Sequence, residues 1–372
     1  MLSRRDECRQ KFGAVVRYLE SKELQAAILT RRANFIWFTA GGLNHVGTGS
    51  DLGSSSLLIT REKVVCITNT IEEPRVTAEE MADLGIEVRA YPWWDNNEAA
   101  RIWAAELGDR PAAADAPVAA IGRPLPPLGA EFDALRQQLN EAEIERYRKA
   151  GPEVAAALET ACRQARPGMT EYELAGRILR ELMERGFRSP TALVANEERV
   201  RRFRHPLPTK AKITKYGMGV CGAERDGLYV SVSRLFAFGP IDADLLRRHE
   251  AVCRVDAALM GATRPGATLG EIFAVCQKVY ADAGFPDEWK LHHQGGLTGY
   301  QGRENRATPG SSTRVLPNQA YAWNPSIAGT KSEDTILVLP DRTEIISATG
   351  QWPMKGYSAG GRTWMRNEIL NI

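Results

Sequence analysis

The chain has 372 residues, of which 43% are hydrophobic and 25% are charged. This balance is typical of a globular protein of two or three domains, and it excludes a disordered or fibrous chain. The net charge of +2 gives no reason to expect a nucleic-acid or anionic-membrane partner. The six cysteines form no CxxC pair, which argues against a disulfide framework or a zinc–thiolate site.

In chain order, the first part alternates helices and strands. The patterns predict helices at 5–21, 73–84 and 97–107, strands at 24–30, 54–60, 63–69, 86–92 and 118–122, and a glycine-rich loop at 41–53. This alternation predicts a small α/β domain over residues 1–138. The first ten residues are rich in charge and contain no apolar core, and no apolar run in the chain approaches about 18 residues. We therefore expect no signal peptide, no transmembrane helix and a cytoplasmic location.

The second part contains an internal repeat. Asn140 is a candidate N-cap for a long helix. An Arg-Pro-Gly-x-Thr segment then occurs at 166–170 and again, 98 residues later, at 264–268. Each copy is followed by a helical pattern that ends at Gly-Phe, at 186–187 and at 284–285. The matching starts and stops predict two related halves. We expect a pseudo-twofold α/β domain over 139–372, with its site where the halves meet.

Four segments near the repeats carry residues that could do chemistry. They are FRHPLPTKAKI (203–213), CGAERDGLYVSVSRLFAFG (221–239), LHHQGGLTGYQGRE (291–304) and AWNPSIAGTKSEDTILV (322–338). Together with the repeat, they resemble the pita-bread family, which includes methionine and proline aminopeptidases, prolidase and creatinase. The resemblance covers about 140–345, and the first 135 residues resemble the smaller N-terminal domain of creatinase. It implies an α/β (α+β) fold in which a creatinase-type N-terminal domain precedes a pita-bread domain.

The resemblance also implies where a metal centre would lie. Metallopeptidases of this family hold two divalent ions with two Asp, one His and two Glu. The alignment places Val220 and Ser231 at the two Asp positions and Asn324 at the first Glu position, so only His293 and Glu333 remain. A pair of divalent ions needs several anionic oxygen ligands. We therefore expect the dinuclear site to be absent, and predict no metal and no other cofactor.

Creatinase, a member of the same family, works without metal and uses a histidine as proton shuttle. The resemblance assigns that role to His205, which precedes Pro206. Without a metal, a histidine of near-neutral pKa is the best available base. We predict His205, His293 and Glu333 as catalytic residues. Five further residues are predicted to bind substrate: Tyr300 as a donor to an oxyanion, Asn324 and Ser231 as neutral donors, Arg204 as a carboxylate clamp, and His45 from the glycine-rich loop. The resemblance to creatinase implies that His45 would reach the site of a neighbouring subunit.

Two other histidines have structural interpretations. Neighbouring side chains on a strand point to opposite faces. We therefore expect only one of the pair to face the site, namely His293, with His292 either structural or supporting a site residue from behind. His249 lies in a predicted helix, LLRRHEAVCR, and we expect it to be exposed to solvent.

These patterns support one leading hypothesis of function. It is a metal-independent, creatinase-like hydrolase that cleaves a C–N bond of a small, polar, nitrogen-rich substrate by histidine acid/base catalysis. The expected partners are that small molecule and a second copy of the chain in a homodimer, with neither nucleic acid nor membrane. Three alternatives stay open: a metal-dependent Xaa-Pro peptidase or dipeptidase, a metal-free lyase on the same scaffold, and a non-catalytic binding module.

Overall fold

The computed structural model describes residues 2–372, which divide into two compact units after Gln137. This division falls beside the predicted boundary at residue 138. Among the described residues, no helix combines the length and the apolar character needed to cross a membrane.

The N-terminal unit is built around a five-stranded sheet of order β4-β3-β2-β1-β5. Its elements are α1 (Arg4–Ser21), β1 (Ala26–Arg31), α2 (Arg32–Thr39), β2 (Leu52–Thr60), β3 (Val64–Asn69), α3 (Glu73–Arg75), β4 (Glu87–Tyr91), α4 (Asn96–Leu107), β5 (Ala112–Ala114) and α5 (Gly129–Asp133). The predicted strand at 118–122 is wrong, because Ala119–Ile121 form a 3-10 turn. One of the two outer strands is β5, whose alanines pair in parallel with β1. Alanine has a low intrinsic preference for strands, so β5 forms because it pairs with β1 and not because of its own sequence.

Helices of the second unit follow the predicted start signals. They are α6 (Glu141–Arg163), α7 (Glu171–Glu184), α8 (Glu197–Arg202), α9 (Ala243–Ala262) and α10 (Leu269–Asp282). Asn140 caps α6, and Thr170 and Thr268 cap the two repeat helices α7 and α10, each through a complete capping box. Pro152 lies inside α6 without ending the helix. A Cβ on Gly151 would lie 2.2 Å from the carbonyl oxygen of Ile346, so this close approach requires glycine.

The strands of the second unit form two main sheets. They are β6 (Arg188–Asn196), β7 (Tyr216–Arg225), β8 (Leu228–Ala237), β9 (Gly295–Thr298), β10 (Asn305–Arg306), β11 (Gln319–Trp323), β12 (Ser326–Ile327), β13 (Thr330–Lys331), β14 (Asp334–Val338), β15 (Thr343–Ile345), β16 (Met354–Ala359), β17 (Arg362–Asn367) and β18 (Leu370–Asn371). One sheet has the order β18-β8-β7-β6 and follows the first repeat helix. The other has the order β10-β9-β11-β14-β15 and follows the second.

The two sheets meet where β8 lies beside β14. The backbone N–H of Ser231 donates to Thr335 Oγ1 at 2.9 Å, and that hydroxyl donates to the carbonyl oxygen of Ser231 at 3.0 Å. The N–H of Ser233 donates to the carbonyl oxygen of Glu333 at 3.2 Å. These bonds join one strand from each half. They also set Glu333 next to the serines of β8.

Candidate active site

Three histidines converge in the second unit. His205 lies in the segment between α8 and β7, and His292 and His293 lie between a 3-10 turn (Glu288–Leu291) and β9. One ring nitrogen from each histidine lies within 4.8 Å of the others. His205 is exposed, His293 is half-buried and His292 is buried. The cluster therefore faces solvent through His205 and is anchored in the protein by His292.

His292 contacts a site residue, the second of its two expected roles, because its Nε2 lies 3.0 Å from Nε2 of His205. Contrary to the expectation that only one of the pair faces the site, the rings of both His292 and His293 lie beside His205. Side chains alternate only along a regular strand, and β9 begins two residues after His293, at Gly295. Gly295 has φ +106°, and a Cβ there would lie 2.1 Å from the carbonyl oxygen of Ala322. Ahead of this irregular strand start, both histidine rings lie beside that of His205, with ring centroids at 4.8 Å for His292 and 5.6 Å for His293.

The contacts of His292 determine which ring nitrogens of His292 and His205 carry a hydrogen. Its Nδ1 lies 2.9 Å from Ser326 Oγ, and its Nε2 lies 3.3 Å from Nδ2 of Asn324. An amide nitrogen can only donate, so Nε2 of His292 is an acceptor and its Nδ1 carries the hydrogen. Nε2 of His205 then donates to His292. In this arrangement Nδ1 of His205 holds a free lone pair.

All three imidazoles are held in the neutral form. Although His205 is exposed, its ring is partly enclosed by the protein, and this partial loss of solvent lowers its pKa; the positive charge of Lys331 lowers it further. Burial, followed by the charges of Arg303 and Arg306, lowers the pKa of His293 to about 3. Burial and Lys331 also lower the pKa of His292. Neutral imidazoles can accept a proton or donate a lone pair.

Glu333 is buried between two cations. Its Oε2 lies 2.7 Å from Nζ of Lys331 and accepts a hydrogen bond from Ser233 Oγ at 2.6 Å. Its Oε1 lies 3.3 Å from Nη2 of Arg303. Burial by itself would raise the pKa of Glu333, but the charges of Lys331 and Arg303 outweigh it and the pKa is lowered. The carboxylate is therefore ionised, with both oxygens occupied by donors.

Arg303 bridges Ser231 of β8 and Glu333, which immediately precedes β14. Its Nη2 contacts Glu333, while its Nη1 lies 3.3 Å from Ser231 Oγ and 2.6 Å from the carbonyl oxygen of Gly302. Its side chain is 12% exposed. A guanidinium thus stands between Ser231 and Glu333. Neither Arg303 nor Lys331 was singled out from the sequence.

Asn324 joins the histidine cluster to β11. It is buried, its N–H donates to the carbonyl oxygen of Gln294, and its Nδ2 contacts His292. Its Oδ1 is buried and has no hydrogen-bond partner among the described residues. Asn324 is thus brought together with the predicted catalytic residues, and so is Ser231 through Arg303.

The other predicted binding residues have different surroundings. Tyr300 is buried and donates through its hydroxyl to Oε1 of Glu143 at 2.6 Å. Arg204 pairs with Glu288 and donates to Ser326 Oγ at 3.3 Å, so it contacts the serine that holds His292. His45 is half-buried in the loop after α2 of the N-terminal unit. Its predicted role towards the site stays a prediction.

His249 lies in α9, and the expectation that it is exposed is wrong, since it is 4% exposed. Its Nε2 donates to the carbonyl oxygen of Asn367 at 2.9 Å, and its Nδ1 lies 2.8 Å from Thr330 Oγ1. Burial lowers the pKa of His249 to about 4. It is a neutral core histidine that β17 and β13 cover. The sequence pattern of α9 alone does not show that these strands pack on it.

Residues 145–340 match metallopeptidase family M24, which is more than half of the chain. The chain belongs to this family. A curated relative is "Probable dipeptidase PepE" of Mycobacterium tuberculosis, which is 24% identical over 282 residues, covering 70% of this chain and 74% of the relative. The predicted family is therefore confirmed. The peptidase names of such relatives support a hydrolase of C–N bonds, but give no support to the qualification that it is metal-independent.

Solved structures confirm the predicted fold. The Xaa-Pro dipeptidase from Bacillus anthracis superposes with a TM-score of 0.78 at 18% identity, covering 98% of this chain and 100% of that one. The N-terminal domain of the FACT complex subunit SPT16 from chickpea superposes with a TM-score of 0.71 at 12% identity, covering 93% and 97%. At these identities the likeness concerns the fold alone.

The two-metal centre that the M24 family implies does not fit these residues. The resemblance aligns Val220, Ser231 and Asn324 with carboxylates of the family, and none of these three side chains is an acid. The remaining carboxylate, Glu333, has both oxygens engaged by Lys331, Arg303 and Ser233. Hard divalent ions need free anionic oxygens, and this site offers none. No step of the chemistry is therefore assigned to a metal pair.

Proposed function

We propose that this M24 protein hydrolyses a C–N bond of a small polar substrate that carries a negative charge, without the two-metal centre of its family. The relatives named as dipeptidases support the reaction class. The observation that carries the proposal is the guanidinium of Arg303 between Ser231 and Glu333. Those two positions hold metal-binding carboxylates in the family. A fixed cation there supplies positive charge in place of the metal ions.

The charges of the site favour an anionic substrate. Lys331 and Arg303 both approach the single carboxylate of Glu333, so the local charge is positive. Arg306 adds to this, because its charge lowers the pKa of His205 and of His293. Preorganised cations stabilise a substrate carboxylate, and they also stabilise the negative charge that develops on a carbonyl oxygen during hydrolysis.

His205 is the proposed general base. Its free Nδ1 lone pair takes a proton from water, while its Nε2–H stays bonded to His292. The same nitrogen then returns the proton to the leaving nitrogen. His292, held by Ser326, keeps the ring of His205 in the tautomer that this role needs. His293 and Asn324 provide neutral groups beside the reacting atoms.

The test is an assay of the full chain after treatment with EDTA and 1,10-phenanthroline. The substrates are dipeptides, small amides and ureides, each with and without a carboxylate. We expect hydrolysis of carboxylate-bearing substrates to persist, and His205→Asn to lower the rate by about 10²–10⁴-fold. His249→Gln serves as the matched control, since that histidine lies outside the site. Loss of activity on chelation, with recovery on adding Mn²⁺, would favour the metal-dependent peptidase. Binding without turnover, unchanged in His205→Asn, would favour a binding module.

A further inference from the structure

We propose that His205, His292 and His293 form a binding site for one transition-metal ion of the Zn²⁺ class. This site differs from the family's metal pair in its ligands, since it uses no carboxylate. The site itself does not depend on the proposed function. Its consequence for activity does.

The distances suit a single ion. A tetrahedral zinc ion with bonds of about 2.0–2.1 Å places its ligand nitrogens about 3.3 Å apart. Nε2 of His205 and Nε2 of His292 lie 3.0 Å apart, and one nitrogen of each of the three histidines lies within 4.8 Å of the others. Small rotations of the half-buried His293 and the exposed His205 would complete three bonds. His292 is already fixed.

The outer contacts of the cluster are also those of a metal site. A histidine that binds metal usually donates its second ring N–H to a fixed acceptor. Nδ1 of His292 makes such a contact with Ser326 Oγ, which is held in turn by Arg204. Beside the cluster, the buried Oδ1 of Asn324 has no hydrogen-bond partner among the described residues. Because Nδ2 of the same amide contacts His292, a half-turn of this amide would bring the oxygen next to His292.

Nearby charge limits the affinity but does not exclude the ion. Lys331, Arg303 and Arg306 repel a cation, and the carboxylate of Glu333, which contacts the first two, offsets one of these three charges. Imidazole ligands are preferred by zinc, copper and nickel, whereas calcium and magnesium prefer oxygen. We therefore expect binding that is selective for transition metals and weaker than that of a structural zinc site.

Occupancy would inhibit the proposed reaction. A metal ion on Nε2 of His205 takes the lone pair of that nitrogen, so the ring hydrogen moves to Nδ1. Nδ1 then becomes a donor and no longer accepts a proton from water. The enzyme would be active without metal and blocked by Zn²⁺, with recovery on adding a chelator.

Equilibrium dialysis of the full chain against Zn²⁺, with Co²⁺ as a spectroscopic probe, tests the site directly. We expect one ion per chain, a tetrahedral cobalt spectrum, and loss of both in His292→Gln and in His293→Gln. Ser326→Ala should weaken binding by about 10–100-fold, because it removes only the outer contact of His292. His249→Gln is the matched control and should bind as the unaltered chain does. Absence of saturable binding, or binding that survives His292→Gln and His293→Gln, would overturn the site.

Rates measured on the same samples separate this site from the proposed function. A chelated enzyme that is active and is inhibited by bound Zn²⁺ supports both. A chelated enzyme that is active but binds no Zn²⁺ overturns the site and leaves the function standing. A chelated enzyme that is inactive until Zn²⁺ binds overturns the metal-independent function and supports the site.

Discussion

Replacing Lys331 by Met tests whether cations of the chain itself neutralise the buried negative charge of Glu333. Nζ of Lys331 lies 2.7 Å from Oε2 of Glu333, and the two residues are 3% and 4% exposed. At an effective dielectric constant of about 20, charges at this distance attract by about 6 kcal/mol. Removing one partner of a buried pair usually costs about 3–5 kcal/mol. Because Arg303 and Ser233 still contact Glu333, we expect Lys331→Met to lower the free energy of unfolding by about 3 kcal/mol.

Urea unfolding of Lys331→Met, Glu333→Gln and the double variant measures this coupling. The double variant should be more stable than the sum of the single losses predicts, by about 2 kcal/mol, because it removes the ammonium and the carboxylate together and leaves only Arg303 without its partner, as Glu333→Gln alone already does. Lys290→Met is the matched control: Lys290 lies at the same 2.7 Å from Asp287, but this pair is exposed. It should cost less than about 1 kcal/mol. A loss for Lys331→Met as small as that of the control, or additive losses in the double variant, would refute the reasoning.

Three further predictions concern single side chains. His249→Gln should reduce the loss of unfolding free energy that the protein shows as the pH falls. The pKa of His249 is about 4 in the folded protein and about 6.5 in the unfolded chain. The stabilising contribution of this histidine is therefore fully present above pH 6.5 and falls by about 2.5 kcal/mol at pH 4.5. Urea midpoints with the same pH dependence in both proteins would contradict this. Tyr300→Phe should lower the unfolding free energy by about 1–2 kcal/mol and leave the hydrolysis rate within tenfold, since its hydroxyl is bonded to Glu143; a larger rate loss at unchanged stability would instead support its predicted oxyanion role. Gly295→Ala should prevent folding or sharply destabilise the protein in thermal melts, because its Cβ would lie 2.1 Å from a backbone oxygen; an unchanged melting temperature would contradict the close packing.

The fold could be predicted from sequence because its signals are local. The capping threonines Thr170 and Thr268 each form a capping box, so a few residues of sequence indicate where the two repeat helices begin. Where local signals are weak, prediction failed. The alanines of β5 show no strand pattern, and α2 was missed because its residues Arg32–Thr39 are largely buried and show no polar face.

The candidate site was only partly predictable for a related reason. His205, His293 and Glu333 lie in recognisable segments, and the structure gives each a contact within one region of the second unit. Arg303 and Lys331 lie in the same segments, but long charged side chains are usually solvated, so their burial against Glu333 follows only from tertiary packing.

The central claim is that cations of the chain stand where the M24 family holds its metal pair. Metal analysis of the purified full chain and of Glu333→Gln, each equilibrated with Mn²⁺ and then with Zn²⁺, tests it most directly. The account predicts at most one ion per chain, held by the three histidines, with the same stoichiometry in Glu333→Gln. Two ions per chain that are lost in Glu333→Gln would contradict it.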